Sequence, residues 1–89
     1  MAWTIELTDK ARRTLKKLDR TAAKRIRTYL RELATQADPR IQGKGLISNF
    51  RGYWRYHVGD YRIICDIQND TLTVLVLRIG HRRQVYDES

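Results

Sequence analysis

A chain of 89 residues, 42% of them hydrophobic, has room for one small core, and we expect a single domain over residues 1–89. Eighteen Lys and Arg against ten acidic residues give a net charge of +8, which favours a nucleic-acid binder over an acidic protein partner or a plain solvated surface. The lone Cys65 excludes an intramolecular disulfide and a cysteine-based metal site, no apolar run is long enough to cross a membrane, and the N-terminus lacks signal-peptide features, so we expect a cytoplasmic protein.

The chain opens with a predicted strand from Trp3 to Leu7, where apolar and polar residues alternate. Thr8 is a good N-cap for a helix from Asp9 to Leu18. That helix is amphipathic because its apolar residues recur at helical spacing, at Ala11, Leu15 and Leu18.

A second amphipathic helix is predicted from Ala22 to Gln36, with Asp19 or Thr21 as its cap and Asp38-Pro39 as its stop. The two helices then form a hairpin that packs on one face of a sheet. Their outer faces are strongly basic, which is typical of a solvated helix surface and also of a surface that contacts phosphates. The candidate RNA- or ribosome-binding residues on the first helix are Lys10, Arg12, Arg13, Lys16 and Lys17.

The segment from Pro39 to Gly52 is predicted to be a loop with a short extended piece at Leu46-Ile47. Within it, Gly43-Lys44-Gly45 is too short for a phosphate-binding P-loop. Lys44 remains a candidate RNA contact.

Three strands follow, and they are predicted from Tyr53 to Val58, Tyr61 to Ile67 and Leu72 to Ile79. Gly59-Asp60 between the first two is a hairpin signal, and the apolar run of the last favours a central strand covered on both faces. We therefore expect an α+β fold: an N-terminal strand, a helical hairpin and a three-stranded antiparallel meander, with the helices on one face of a twisted sheet. The pattern does not decide where the first strand joins.

Alternation along the strands places the residues with usable chemistry on one face. Arg55 and His57 point away from Trp54 and Tyr56, and the hairpin brings Arg62 beside them. The chain leaves the last strand through Gly80 into further basic residues. This predicts a concave site lined by Arg55, His57, Arg62 and the segment His81-Arg82-Arg83, with Tyr86 close to it.

Structural roles compete with these assignments. Arg62 and Arg78 could pair with Asp66 or Asp60, and we favour that role for Arg78 because its strand is the most apolar. Core positions are expected for the two tryptophans and for the cysteine: Trp3, Trp54 and Cys65.

Cations, imidazoles and a phenol, with no carboxylate pair and no metal-ligand cluster, suit a substrate that supplies its own nucleophile. RNA is such a substrate, because its 2′-hydroxyl can attack the adjacent phosphodiester. A base, an acid and cations then suffice, and we expect no metal or other cofactor. Histidine titrates in the range a base requires.

The motifs Trp-Arg-Tyr-His-Val-Gly-Asp-Tyr-Arg-Ile, residues 54–63, and Ile-Gly-His-Arg-Arg-Gln-Val-Tyr, residues 79–86, resemble the RelE family of type II toxin–antitoxin toxins. The resemblance covers the whole chain. It implies a ribosome-dependent endoribonuclease that cuts mRNA in the ribosomal A site and is neutralised by a cognate RelB-like antitoxin. The related ParE toxins share the fold and inhibit DNA gyrase, so a ParE-like gyrase inhibitor is the alternative, and a passive nucleic-acid binder is a third.

The resemblance also implies residue roles. Arg55 and His57 match two basic strand residues, of which the second is a candidate general base. Arg62 matches the arginine that stabilises the phosphate in the transition state, and Arg82 matches one that helps to protonate the leaving group. Tyr86 matches a tyrosine that stacks on an mRNA base. The segment from Gly80 to Tyr86 is shorter than in the best-known member of the family, so Arg83 is an alternative match to Arg82 as well as a candidate RNA contact. In the same segment His81 competes with His57 for the acid–base role.

Overall fold

A computed structural model describes residues 2–46 and 52–81 of the chain. Their helices and strands are, in chain order, β1 (Thr4–Leu7), α1 (Asp9–Lys17), α2 (Arg20–Leu33), a 3₁₀ helix (Pro39–Gln42), β2 (Lys44–Gly45), β3 (Trp54–Val58), β4 (Tyr61–Gln68) and β5 (Thr73–His81). The predicted α+β class is confirmed.

Both helices begin where a side chain caps them. The Thr8 hydroxyl accepts a hydrogen bond from the Ala11 amide at 3.1 Å, and the Asp19 carboxylate accepts one from the Ala22 amide at 2.6 Å. Because Asp19 is the cap, α2 starts two residues before the predicted Ala22. It also ends three residues before the predicted Gln36, and the carbonyl of Ala34 accepts a hydrogen bond from the amide of Trp3 at 2.7 Å.

The sheet has five strands in the order β1-β5-β4-β3-β2. The last three strands form the predicted antiparallel meander, and β1, whose partner the sequence leaves open, pairs with β5 in parallel. The extended piece predicted at Leu46-Ile47 starts earlier, as β2, which pairs with β3. Leu46 continues that pairing, since its amide donates to the Tyr53 carbonyl at 3.0 Å, whereas Ile47 lies outside the described residues.

The core lies between the two helices and one face of the sheet. Trp3 and Cys65 are buried as predicted, and Trp54 packs against the same cluster. The interior position predicted for β5 is confirmed, since it lies between β1 and β4. Its cover on both faces is only partial, because Leu75 and Leu77 are partly exposed. No helix within the described ranges combines the length and the apolar character that a membrane span requires.

Candidate functional site on the distal face of the sheet

The face of the sheet opposite the helices, here called the distal face, carries the polar residues of the meander. Tyr56 and Val58 are buried in the core, so the intervening Arg55 and His57 project from the distal face as predicted. Cross-strand pairing adds neighbours on this face, because directly paired residues share a side of the sheet. His57 pairs with Arg62, and Arg55 pairs with Lys44. We call these four residues the basic cluster: Lys44, Arg55, His57 and Arg62.

A β-bulge adds a further cation to this face. Val74 and Val76 of β5 point into the core, and strict alternation would place Arg78 there as well. The register shifts between Ile64 and Cys65 of β4, so that Leu77 is the extra residue on β5 and Arg78 pairs with Ile64. Arg78 therefore lies on the distal face, and the pattern returns to the core at Ile79.

Sequence reasoning missed this position of Arg78. The sequence carries no local signal of the shift, because Leu75, Leu77 and Ile79 continue a regular alternation of apolar residues past Arg78. Ile64, paired with Arg55 on one side and Arg78 on the other, is only 1% exposed, so the arginine row surrounds a covered apolar residue.

His57 and Arg62 are in direct contact. One terminal nitrogen of the Arg62 guanidinium, Nη1, lies 2.6 Å from Nδ1 and 2.9 Å from Nε2 of the imidazole. A guanidinium donates hydrogen bonds and never accepts them. Because a guanidinium and an imidazolium would repel each other at this distance, the contact favours the neutral form of His57.

The electrostatic surroundings favour the same form. Partial burial lowers the pKa of His57 below its ordinary value, and the positive charges of Arg62, Arg55 and Lys44 lower it further. At neutral pH the imidazole is therefore a free base, which is the state that a general base requires.

Arg62 keeps hydrogen-bonding capacity for a ligand. Its Nε is buried, and no acceptor among the described residues reaches it. The described carboxylates also lie more than 4.0 Å from its guanidinium, so a pairing with Asp60 or Asp66 does not explain its position. A buried donor without an acceptor is costly, and an anion on the distal face would satisfy it.

His81 lies on the other side of the sheet from His57. It pairs with Tyr61, which packs against the core, and the two rings meet edge to face with centroids 6.1 Å apart. The structure thus does not place His81 with the basic cluster. Arg82, Arg83 and Tyr86 lie outside the described residues.

The basic residues of α1 also lie away from the cluster. Their helix packs on the core side of the sheet through Ala11 and Leu15, and their side chains face outward. Arg12 is 3.9 Å from Asp9, an exposed pair that contributes little to stability. The exposed residues of this surface are Lys10, Arg12, Arg13, Lys16 and Lys17. The described part of the chain contains no group of three or more His, Cys, Asp and Glu that could hold a metal ion.

The chain is similar to known toxins of bacterial toxin–antitoxin systems. The family model described as "ParE toxin of type II toxin-antitoxin system, parDE" matches residues 5–86. Toxin RelG of Mycobacterium tuberculosis is 32% identical over 87 residues, which cover 97% of this chain and 98% of that toxin.

Solved structures give the same picture. In the crystal structure of the RelBE2 toxin–antitoxin complex from M. tuberculosis, one chain is 29% identical, with a TM-score of 0.83 over 92% of this chain and 93% of the other. A mutant of the E. coli toxin RelE in the free state shares the fold, with a TM-score of 0.77, 21% identity and coverage of 99% of this chain and 94% of the other. The chain therefore belongs to the RelE/ParE superfamily of type II toxins.

Proposed function

We propose that this toxin is a ribosome-dependent endoribonuclease that cuts mRNA at the distal face of its sheet. The observation that carries the proposal is the contact between His57 and Arg62. It joins an imidazole whose pKa is lowered to a guanidinium whose buried Nε has no acceptor among the described residues. A base beside a phosphate-binding cation is what cleavage by a 2′-hydroxyl requires.

In the proposed reaction, His57 takes the proton of the 2′-hydroxyl, and the 2′-oxygen attacks the adjacent phosphorus. Arg62 stabilises the negative charge that builds up on the phosphate oxygens. The bond from phosphorus to the 5′-oxygen breaks, leaving a 2′,3′-cyclic phosphate and a 5′-hydroxyl. By resemblance to the RelE family, Arg82 helps to protonate the 5′-oxygen and Tyr86 stacks on a base.

Within the cluster, Lys44 and Arg55 add positive charge beside His57. Both are suited to bind phosphates of the RNA strand, which carries one charge per nucleotide. No step of this scheme calls on a metal ion.

The partner that neutralises the toxin is proposed to be a RelB-like antitoxin. Several similar solved structures are toxin–antitoxin complexes, among them RelE–RelB from Pyrococcus horikoshii. A net charge of +8 favours a partner that contributes carboxylates. Ribosomes and mRNA place the toxin's action in the cytoplasm.

Inhibition of DNA gyrase is the second candidate, because the matching family model is that of ParE toxins. Such a toxin would act as a binding module, and it would have no use for a neutral histidine held against an arginine. The His57–Arg62 pair therefore favours the nuclease.

Primer extension on mRNA from a translating extract treated with the toxin discriminates the candidates. Cleavage between codon positions that disappears when ribosomes are omitted supports the nuclease. Intact mRNA together with loss of gyrase supercoiling in a parallel assay supports the gyrase inhibitor and contradicts the nuclease. Intact mRNA with active gyrase contradicts both.

A further inference from the structure

The Gly43-Lys44-Gly45 segment, which is too short for a P-loop, has a different use in the fold. It leads from the 3₁₀ helix into β2, which runs antiparallel to β3 at the edge of the sheet. Lys44 pairs with Arg55 on the distal face. The glycines on either side of Lys44 face the core side, where two aromatic rings lie beneath them.

The contact at Gly43 leaves no room for a side chain. A Cβ built on Gly43 would lie 2.8 Å from Cε1 and 2.9 Å from Cζ of Tyr56, which is fully buried. At Gly45 the nearest atom, Cη2 of Trp54, is 3.6 Å away, which is an ordinary van der Waals distance. The backbone of β2 thus lies directly on the Tyr56 ring at Gly43 and more loosely on Trp54 at Gly45.

The hydroxyl of Tyr56 fixes the segment that precedes β2. It donates a hydrogen bond to the Pro39 carbonyl at 2.8 Å, within the 3₁₀ helix. Burial raises the pKa of the Tyr56 phenol, so it stays protonated and keeps this bond. Arg40, in the same helix, donates hydrogen bonds to its cap Asp38 at 2.9 Å and to Asn69 in the turn between β4 and β5.

Lys44 is close enough to His57 to act on it electrostatically, together with Arg62 of β4 and Arg55 of β3. Its position depends on the path of β2, which pairs with β3 and lies directly on the buried Tyr56 ring at Gly43.

We infer that Gly43 and Tyr56 are positioning residues for Lys44: the Tyr56 ring seats the Gly43 backbone, its hydroxyl anchors Pro39, and Lys44 is thereby held over Arg55 and beside His57. That the held ammonium binds a phosphate of the RNA rests on the proposed function. The position of Lys44 does not, because it is measurable without any cleavage.

The experiment is an NMR titration of His57 in the full-length toxin, with His81→Gln used to assign the two imidazole signals. Lys44→Gln removes the charge and raises the pKa of His57. Gly43→Ala keeps the charge of Lys44 but forces β2 away from Tyr56, which moves Lys44 away from His57. We therefore expect the pKa of His57 to rise by an amount similar to that in Lys44→Gln. The double variant Gly43→Ala/Lys44→Gln is expected to match Lys44→Gln alone, because a displaced lysine has no further effect to lose.

Gly45→Ala is the matched control, since its added methyl group fits beside Trp54, and its His57 pKa should stay at the wild-type value. A folded Gly43→Ala variant with a wild-type pKa for His57 would overturn the inference, and so would a rise of equal size in Gly45→Ala. If Gly43→Ala does not fold, the pKa of His57 is measured in Tyr56→Phe instead. This variant keeps the aromatic ring and removes only the hydroxyl that bonds to Pro39. A raised pKa supports the inference, and an unchanged one overturns it. Absence of RNA cleavage by the wild-type toxin would end the proposed function and leave this result standing.

Discussion

At the scale of single residues, His57 and Arg62 can lie in direct contact because the histidine need not carry a positive charge. The close approach of Arg62 favours a neutral imidazole, and burial and the neighbouring cations lower the pKa of His57 in the same sense. A phosphate on the distal face would reverse the local balance, because its charge favours the imidazolium. His57 can therefore accept a proton more readily when substrate is bound than when the site is empty.

The lowered pKa of His57 predicts a pH effect on stability. Above the unfolded-state pKa of about 6.5 the residue is neutral in both states and has no effect. As the pH falls below that value, the unfolded chain binds a proton more readily than the folded one, so the free energy of unfolding decreases. In His57→Gln this contribution is absent, and the decrease between pH 7.5 and pH 5 should be smaller. Urea unfolding at the two pH values checks this, and equal decreases in both proteins would contradict the charge state assigned to His57.

At the scale of elements, the bulge at Leu77 determines which side of the sheet receives Arg78. The Thr8 hydroxyl caps α1 and also donates to the Leu77 carbonyl at 3.0 Å, so the start of the helix is tied to the bulge. One side chain thus stabilises a helix end and the local break in alternation that brings Arg78 to the distal face.

Thr8→Ala removes both of these hydrogen bonds, whereas Asp19→Ala removes only an exposed cap of α2. Loss of a cap costs about 1 kcal/mol, and loss of the additional bond adds roughly another 1 kcal/mol. Chemical denaturation should therefore find Thr8→Ala less stable than Asp19→Ala. Equal losses would show that the bond to Leu77 contributes nothing.

The variant Arg78→Gln tests whether the arginine that the bulge places on the distal face contributes to RNA binding. On the proposed RNA-binding face, Arg78 would contact a phosphate, so the variant should bind mRNA-programmed ribosomes more weakly, with the slope of log K against log salt reduced by about 0.7. Binding is measured with mRNA carrying a 2′-deoxynucleotide at the cut site, so that it is not cleaved. Arg27→Gln on α2, across the sheet from the cluster, is the control. If the salt dependence of binding by Arg78→Gln equals that of the wild type, Arg78 has only a structural role.

At the scale of the whole molecule, positive charge is divided between two sides. The basic cluster occupies the distal face, and the exposed residues of α1 lie beyond the helix layer. Such a division suits a protein that contacts RNA on more than one side, as within a ribosomal cleft. Under the proposed function, cleavage depends on the distal face and ribosome association on α1, so the two should respond to different substitutions.

Replacement of Lys10, Arg13 and Lys17 by Gln is expected to weaken association with ribosomes and to flatten its salt dependence. The cleavage rate of the bound complex should remain that of wild type, because these residues lie across the sheet from His57. Sedimentation of ribosomes over a range of salt concentrations, followed by single-turnover cleavage, separates the two effects. Unchanged association would make the α1 charges a solvated surface.

Local chemistry made much of this fold predictable. Thr8 and Asp19 indicate where the two helices begin, and Gly59-Asp60 indicates a hairpin. The alternation in β3 predicts that Arg55 and His57 lie on one face of the sheet. Other features depend on long-range pairing that local patterns do not encode. The parallel partner of β1, the register shift that moves Arg78, and the tyrosine that seats Gly43 each join residues far apart in the chain. The side of the sheet on which His81 lies depends on the same register, because its pairing with Tyr61 places it away from His57.

In the proposed reaction, Arg62 stabilises the charge of a phosphate undergoing cleavage. Primer extension in a translating extract, comparing wild type with Arg62→Ala and with Arg27→Ala as a matched control, tests it most directly. Removal of a charged group that stabilises the transition state costs on the order of 100-fold to 1,000-fold in rate. We expect Arg62→Ala to lose cleavage to that extent while keeping its circular dichroism spectrum, and Arg27→Ala to cleave as wild type does. Cleavage by a folded Arg62→Ala variant at the wild-type rate would contradict the proposed role of Arg62.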